Sequence, residues 1–304
     1  MIILALEILY ILSGIVSLIT GIYSFRDDSL ETRFGTGLFW VILSITFIFG
    51  RILPAKFVGI LVLLMGVLTA TKQVKIGSFK EVSEEFKIEK SKILGNKLFI
   101  PVLSIAIFAF VIGQFTSLGG LVGMGIGAIV ATISGLIITK ANGNEAIEEG
   151  NRLLQQVGPF SILPQLLAAL GALFNAAGVG EVIASGISKA IPTGNIVFGV
   201  IAYCVGMALF TMIMGNAFAA FAVITAGIGI PFVYNQGANP AIAGALALTA
   251  GYCGTLLTPM AANFNIVPAA ILEIKDKNKV IKTQAPIALI LLAIHIVLML
   301  VWAF

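Results

Sequence analysis

From Ala190 to Leu272 the sequence contains no aspartate, glutamate, lysine or arginine. Charge is scarce elsewhere too. Charged residues make up 11% of the chain, against about 25% in a soluble domain. So few charges cannot cover a water-facing surface, which excludes a soluble globular protein. Histidine occurs once and cysteine twice. No His/Cys/Asp/Glu group has metal-ligand spacing, and Cys204 and Cys253 both fall in apolar stretches, so neither a metal centre nor a disulfide framework is expected. A G-x-S-x-G turn, a Walker A loop and a nucleophile–base pair are all missing, so no enzyme is expected. The net charge of +4 is spread over short loops and is no nucleic-acid footprint.

What remains is apolar. Hydrophobic residues are 59% of the chain and mean hydropathy is +1.08, as in an all-α integral membrane protein. A crossing needs about 20 apolar residues. Polar loops then mark out about ten crossings: 2–23, 35–50, 54–71, 98–115, 118–139, 160–177, 196–213, 216–233, the long 240–272, and 285–302. The first segment has neither a basic leader nor a small-residue cleavage site and reads as a retained span. By texture, 1–71 is a three-helix scaffold rich in Leu, Ile and Phe. Residues 72–97 form a charged loop with seven lysines and four glutamates, and 98–304 is a Gly/Ala-rich core. Small residues let helices approach closely in lipid. The segment "KANGNEAIEEGNRLLQQVG" is amphipathic and suits the membrane surface.

Loop charge sets the orientation. With the N-terminus outside, fifteen of the eighteen basic residues lie in cytoplasmic loops, leaving Arg51, Lys56 and Lys189 outside. Reading 215–231 as a re-entrant hairpin instead would worsen that split, so a full span is expected there. Both termini are then expected on the outer side of the membrane.

At the centre of the charge-free region stands "GYCGTLLTPMAANFN", Gly251–Asn265. Residues 240–272 would be about 50 Å long as one helix, too long for a single straight crossing of about 30 Å. Gly254 and Pro259 are expected to break it. A break in lipid survives only where it is buried in protein or lines a wet cavity. Thr255, Thr258, Asn263 and Asn265 crowd this break. "MGNAF" places Gly215 and Asn216 at the start of another helix. Two opposed helix N-termini can bind a carboxylate without arginine or lysine, and unwound carbonyls can hold Na⁺. Glu7 and His295, ionisable residues inside spans, are the candidates for proton coupling.

The motifs "LPQLLAALGALFNAAGVGEVIASGIS", "MGNAFAAFAVITAGIG" and "AGYCGTLLTPMAANFNIVPAAILEIKDK" resemble the domain of unknown function 979 family over essentially the whole chain. The resemblance implies one subunit of a two-component 5-oxoproline transporter of the bacterial inner (cytoplasmic) membrane, paired with a smaller membrane protein. Its layout is similar to the ion transporter superfamily of carboxylate carriers, whose two inverted halves each bring a hairpin and a broken helix to the substrate. This chain offers one such set, so the other would come from the partner or from a second copy in a homodimer. No cofactor is implied beyond Na⁺ or H⁺ as coupling ion. A non-transporting scaffold or assembly subunit is the alternative, though a scaffold has no reason to keep the polar break.

Overall fold

The computed structural model describes residues 1–79, 84–188 and 194–304, and among these every regular element is helical. The elements are α1 (Ile2–Arg26), α2 (Arg33–Phe49), α3 (Ala55–Ala70), α4 (Glu84–Leu94), α5 (Phe99–Phe115), α6 (Gly120–Thr139), α7 (Gly143–Ser161), α8 (Leu163–Ala176) and α9 (Val179–Ser188). There follow α10 (Ile196–Met214), α11 (Ala217–Ile224), α12 (Ile230–Phe232), α13 (Pro240–Leu256), α14 (Ala262–Ile271) and α15 (Lys279–Trp302). Among the described residues, six helical runs are long and apolar enough to cross a membrane: Ile2–Arg26, Glu85–Phe115, Gly120–Thr139, Ile196–Met214, Ala217–Gln236 and Lys279–Trp302. The chain is therefore a multi-pass membrane protein. Five further apolar helices are shorter, among them the two pieces of the long segment expected over 240–272. Residues 217–232 form one uninterrupted helical run, with no hairpin reversal. Lys189, expected outside, lies beyond the described residues.

Packing divides the chain into two units, Met1–Pro159 and Phe160–Phe304, so α5 and α6 belong with the N-terminal helices rather than with the Gly/Ala-rich second half. In the first unit a seam of small residues on α1 faces α2. Gly14, Ser17, Gly21 and Ser24 recur at three- or four-residue spacing and are buried, the pattern that lets helices approach closely in lipid. A Cβ on Gly21 would meet the Gly37 carbonyl oxygen at 3.2 Å, and one on Gly37 would meet the Phe25 ring at 2.7 Å. The buried hydroxyls on this seam donate to their own helix: Ser17 to Ser13 O, Thr20 to Val16 O and Ser24 to Thr20 O. That satisfies them without water. Gly123 and Gly127 of α6 press against the α5 backbone, where an added Cβ would meet Phe108 O at 2.5 Å and Ile105 Cα at 2.7 Å.

The first part of the loop expected over 72–97 is pinned down. Thr36 Oγ1 donates to Gln73 O and accepts from Lys75 N, both at 3.1 Å. Gly77 N donates to Gln155 Oε1 of α7 at 2.8 Å, and Gln155 Nε2 donates to Asn151 Oδ1 and Ser24 Oγ. Its later part is α4, which runs through a short 3₁₀ turn, Gly95–Leu98, into α5. The amphipathic α7 thus turns a buried polar face inward, with Gln155 2% exposed. On its outer side Arg152 Nε donates to Glu149 at 2.9 Å. That hydrogen bond holds the Glu149 carboxyl below its ordinary value.

Glu7, costly in lipid, is ion-paired with Arg51 in the turn after α2. A carboxylate near a helix end with a counterion beside it stabilises the α1–α2 hairpin. Replacing Arg51 with glutamine is expected to destabilise the protein by about 1 kcal/mol. Replacing Glu7 as well should restore most of that loss. A double-mutant cycle of unfolding in detergent measures the difference, and additive effects would contradict the pairing.

In the second unit α10 is the central post. Val200, Tyr203, Cys204, Met207 and Thr211 are buried, as are Ala243, Ala247, Ala250 and Gly254 on the facing helix α13. The contact is made of alanine and glycine on one side and larger side chains on the other. A Cβ on Gly254 would fall inside van der Waals contact of Ala208 O. Gly254 therefore serves close helix approach and does not loosen α13, which continues through it to Leu256. Cys204 and Cys253 are free, buried thiols. Asparagine marks the helix starts: Asn195, Asn216 and Asn239 each accept backbone N–H bonds at the head of α10, α11 and α13, the usual N-cap device. His295 donates from Nδ1 to Leu291 O, 2.7 Å away on its own helix α15.

Candidate functional site

The helix that begins at Pro240 stops at Leu256 and restarts at Ala262. Pro259 stands in the gap, where its missing N–H and its effect on the preceding residue both disfavour helix. Four backbone-facing bonds hold the gap in shape. Thr258 Oγ1 donates to Met212 O of α10 at 2.8 Å and accepts from Met260 N at 3.1 Å. Asn265 Nδ2 donates to Thr255 O and to Thr258 O, both at 2.7 Å. These carbonyls are orphans of the interrupted ladder, and Asn265, fully buried, gives them the donors that a continuing helix would have supplied. Gln284 Nε2 of α15 donates in turn to Asn265 Oδ1 at 3.4 Å.

The chain before α11 meets this gap through Gly215. Its φ of +66° is the left-handed conformation that glycine adopts without strain. A Cβ there would also strike Met260 O at 2.6 Å and Leu167 Cδ1 at 2.7 Å. Both the bend and the approach require glycine, and they bring the start of α11 beside the start of α14.

A cavity of about 360 Å³ opens between them, within the range of about 300–1,000 Å³ usual for small-ligand sites. It is lined by Leu167, Gly215, Asn216, Ala217, Phe218, Tyr252, Thr255, Met260, Asn263 and Phe264. None of these carries a charge. Gly215, Asn216, Thr255 and Asn263, singled out in the sequence, share its wall. Thr258 and Asn265, singled out with them, are buried braces of the gap and do not line it. Glu7 belongs to the other packed unit, and His295 is not among the lining residues.

The lining groups differ in what they can still offer. Asn216 Oδ1 accepts from Phe218 N at 2.8 Å and Ala219 N at 3.4 Å, which leaves its amide N–H bonds for the cavity. Thr255 Oγ1 donates to Tyr252 O at 2.6 Å, so its lone pairs remain as acceptors. No side chain caps the first turn of α14. Asn263, in that turn, is exposed and makes no hydrogen bond among the described residues. Two helix N-termini, each with a positive dipole end, thus converge on one charge-free cavity with a free amide and a hydroxyl acceptor.

Sequence reasoning missed the apolar walls and Tyr252. That tyrosine lies one helical turn before Thr255, a spacing that puts both on one face of α13; its ring meets Phe218 edge-on with centroids 6.2 Å apart. The stretch "FNAAGVG" carries the end of α8, with Gly178 at φ +71° between α8 and α9.

A family model described as a protein of unknown function, DUF979, matches residues 7–304. No curated protein and no solved structure matches the chain.

Proposed function

The chain belongs to the DUF979 family, and on that footing we propose that it is a subunit of a secondary transporter for a small carboxylate, 5-oxoproline. The observation that carries the reading is the convergence of the α11 and α14 N-termini on a cavity without charged residues. A monoanion needs no buried arginine there, because two dipole ends and free amide N–H groups supply the attraction. Asn263 and Asn216 donate to the carboxylate. Thr255 Oγ1 accepts from the lactam N–H, and Phe218, Phe264 and Leu167 enclose the apolar ring. Thr258 and Asn265 keep the break open without touching the substrate, and Pro259 sets its position.

The remaining assignments belong to the same proposal. The protein spans a bacterial inner membrane about ten times with its N-terminus outside, and the shorter apolar helices supply the crossings beyond the six long ones. A smaller membrane subunit, or a second copy in a homodimer, provides the opposing half of the pathway. Na⁺ or H⁺ drives the step, with Glu7 and His295 as the proton candidates, and no other cofactor takes part.

Uptake of labelled 5-oxoproline into cells lacking their own carrier tests the reading. Cells expressing both subunits are expected to accumulate it, and Asn263→Ala is expected to lower uptake about tenfold or more, the scale of a lost hydrogen bond to a charged group. Uptake by the partner in the absence of this chain would instead make the chain a scaffold or assembly subunit.

A further inference from the structure

The two helices that wall the cavity are tied together again at their far ends, by three hydroxyls. Tyr203 of α10 is fully buried. Its hydroxyl lies 2.7 Å from Thr225 Oγ1 and 3.0 Å from the Tyr234 hydroxyl. Thr225 opens the segment into which α11 runs directly. Tyr234 lies in the turn that leads to α13, and a Cβ on Gly244, in the second turn of α13, would meet its hydroxyl at 3.2 Å. One cluster therefore holds the end of α11 and the beginning of α13. The cavity sits at the opposite ends, about 14 Å along the helix from Thr225 to Asn216 and about 17 Å from Gly244 to Thr255.

The segment at the cluster is not ordinary helix. Thr225–Gly229 is a π turn, with Ile230 N donating to Thr225 O five residues back. Such turns are rare and recur at functional sites. Pro231, two residues beyond, has no N–H to donate, so the ladder is already interrupted on its far side. Tyr203 fits into this turn only because Gly229 lacks a side chain; a Cβ there would lie 2.6 Å from Tyr203 Cζ. The ties are directional bonds between groups that each donate one proton. They can break and re-form without unpacking the alanine-rich contact between α10 and α13.

We infer that Tyr203, Thr225 and Tyr234 are positioning residues for the cavity: through the π turn they set where the N-terminus of α11 stands relative to the broken end of α13. A buried tyrosine needs a partner in any case. A purely structural triad would lower stability when cut and leave the cavity unchanged. A positioning triad changes access to the cavity as well. The inference rests on the cavity being the functional site, but its test does not depend on which substrate enters.

The test is the rate at which a membrane-impermeant thiol reagent labels Asn263→Cys, in full-length protein with Cys204 and Cys253 replaced by alanine. Tyr203→Phe, Tyr234→Phe and Thr225→Val each remove one tie with little change of shape. Each is expected to change the labelling rate about fivefold or more, the lower end of measured couplings between distant sites. Thr249→Val is the control, since among the described residues that hydroxyl bonds only to Ala245 O and Leu246 O of its own helix, and its rate should match the parent. Should Tyr203→Phe fail to accumulate, the other two variants decide. Labelling within twofold of the parent in every folded triad variant would overturn the inference, whatever happens to melting temperature. Because labelling reads access and not uptake, a failed 5-oxoproline assay would leave this result standing on its own.

Discussion

Replacing Asn265 with alanine is expected to destabilise the protein by about 2–4 kcal/mol, because two buried carbonyls lose their donors at once. Those acceptors, Thr255 O and Thr258 O, lie where the helix ladder has stopped. Lipid offers nothing to replace Asn265, and an unpaired backbone group costs more there than in water. Asn265→Asp is the sharper variant. It keeps the shape and replaces two N–H donors with an oxygen facing two carbonyl oxygens, so it should be at least as damaging. Asn263→Ala, two residues away, removes an amide that bonds to nothing among the described residues, and should shift stability by less than about 0.5 kcal/mol. Unfolding in detergent compares the three. Equal losses for Asn263→Ala and Asn265→Ala would contradict the division between lining residue and brace.

The second large effect is expected at Gly254. Its Cα faces the backbone of α10, and an added Cβ would meet Ala208 C and Cα at 2.9 Å. Backbone cannot move aside as a flexible side chain can, so α13 must shift away from α10. Overpacking of this kind costs about 1–3 kcal/mol and occasionally more, and Gly254→Val should reach the upper end. Thr255 is the next residue, so the same shift opens the cavity wall. Gly254→Ala should therefore weaken ligand binding as well as lower the melting temperature. Gly59→Ala in α3 is the contrast, since nothing lies within 4 Å of the added Cβ. There alanine is expected to be neutral or slightly stabilising, as removing helix glycine favours the folded chain. A Gly254→Ala protein with parental stability would show that α10 and α13 do not pack as closely as described.

Much of this was legible in the sequence. Missing charge fixed the membrane class, and excess length together with Pro259 located the helix break. Asparagine before alanine in "MGNAF" marked the N-terminus of α11. The division of labour inside the break was less visible. Thr255, Thr258, Asn263 and Asn265 look alike as a polar cluster, and helical periodicity, which would assign them to faces, is absent where the helix has stopped. The role of Gly254 depends on the helix packed against it, which local sequence does not specify. In α1 the hydroxyls and glycines of the α2-facing seam were hidden among leucines and isoleucines. The Tyr203–Thr225–Tyr234 cluster joins residues 22 and 31 positions apart. Only the fold brings them together.

Direct binding tests the central claim, that the charge-free cavity between α11 and α14 takes a small monocarboxylate. Labelled 5-oxoproline would be titrated onto the purified chain, alone and with the proposed smaller subunit, in wild-type and Asn263→Ala forms. Saturable binding is expected, weakened about tenfold or more by Asn263→Ala, with little competition from di- or tricarboxylates. Binding unchanged by Asn263→Ala, or absent from both preparations, would contradict it.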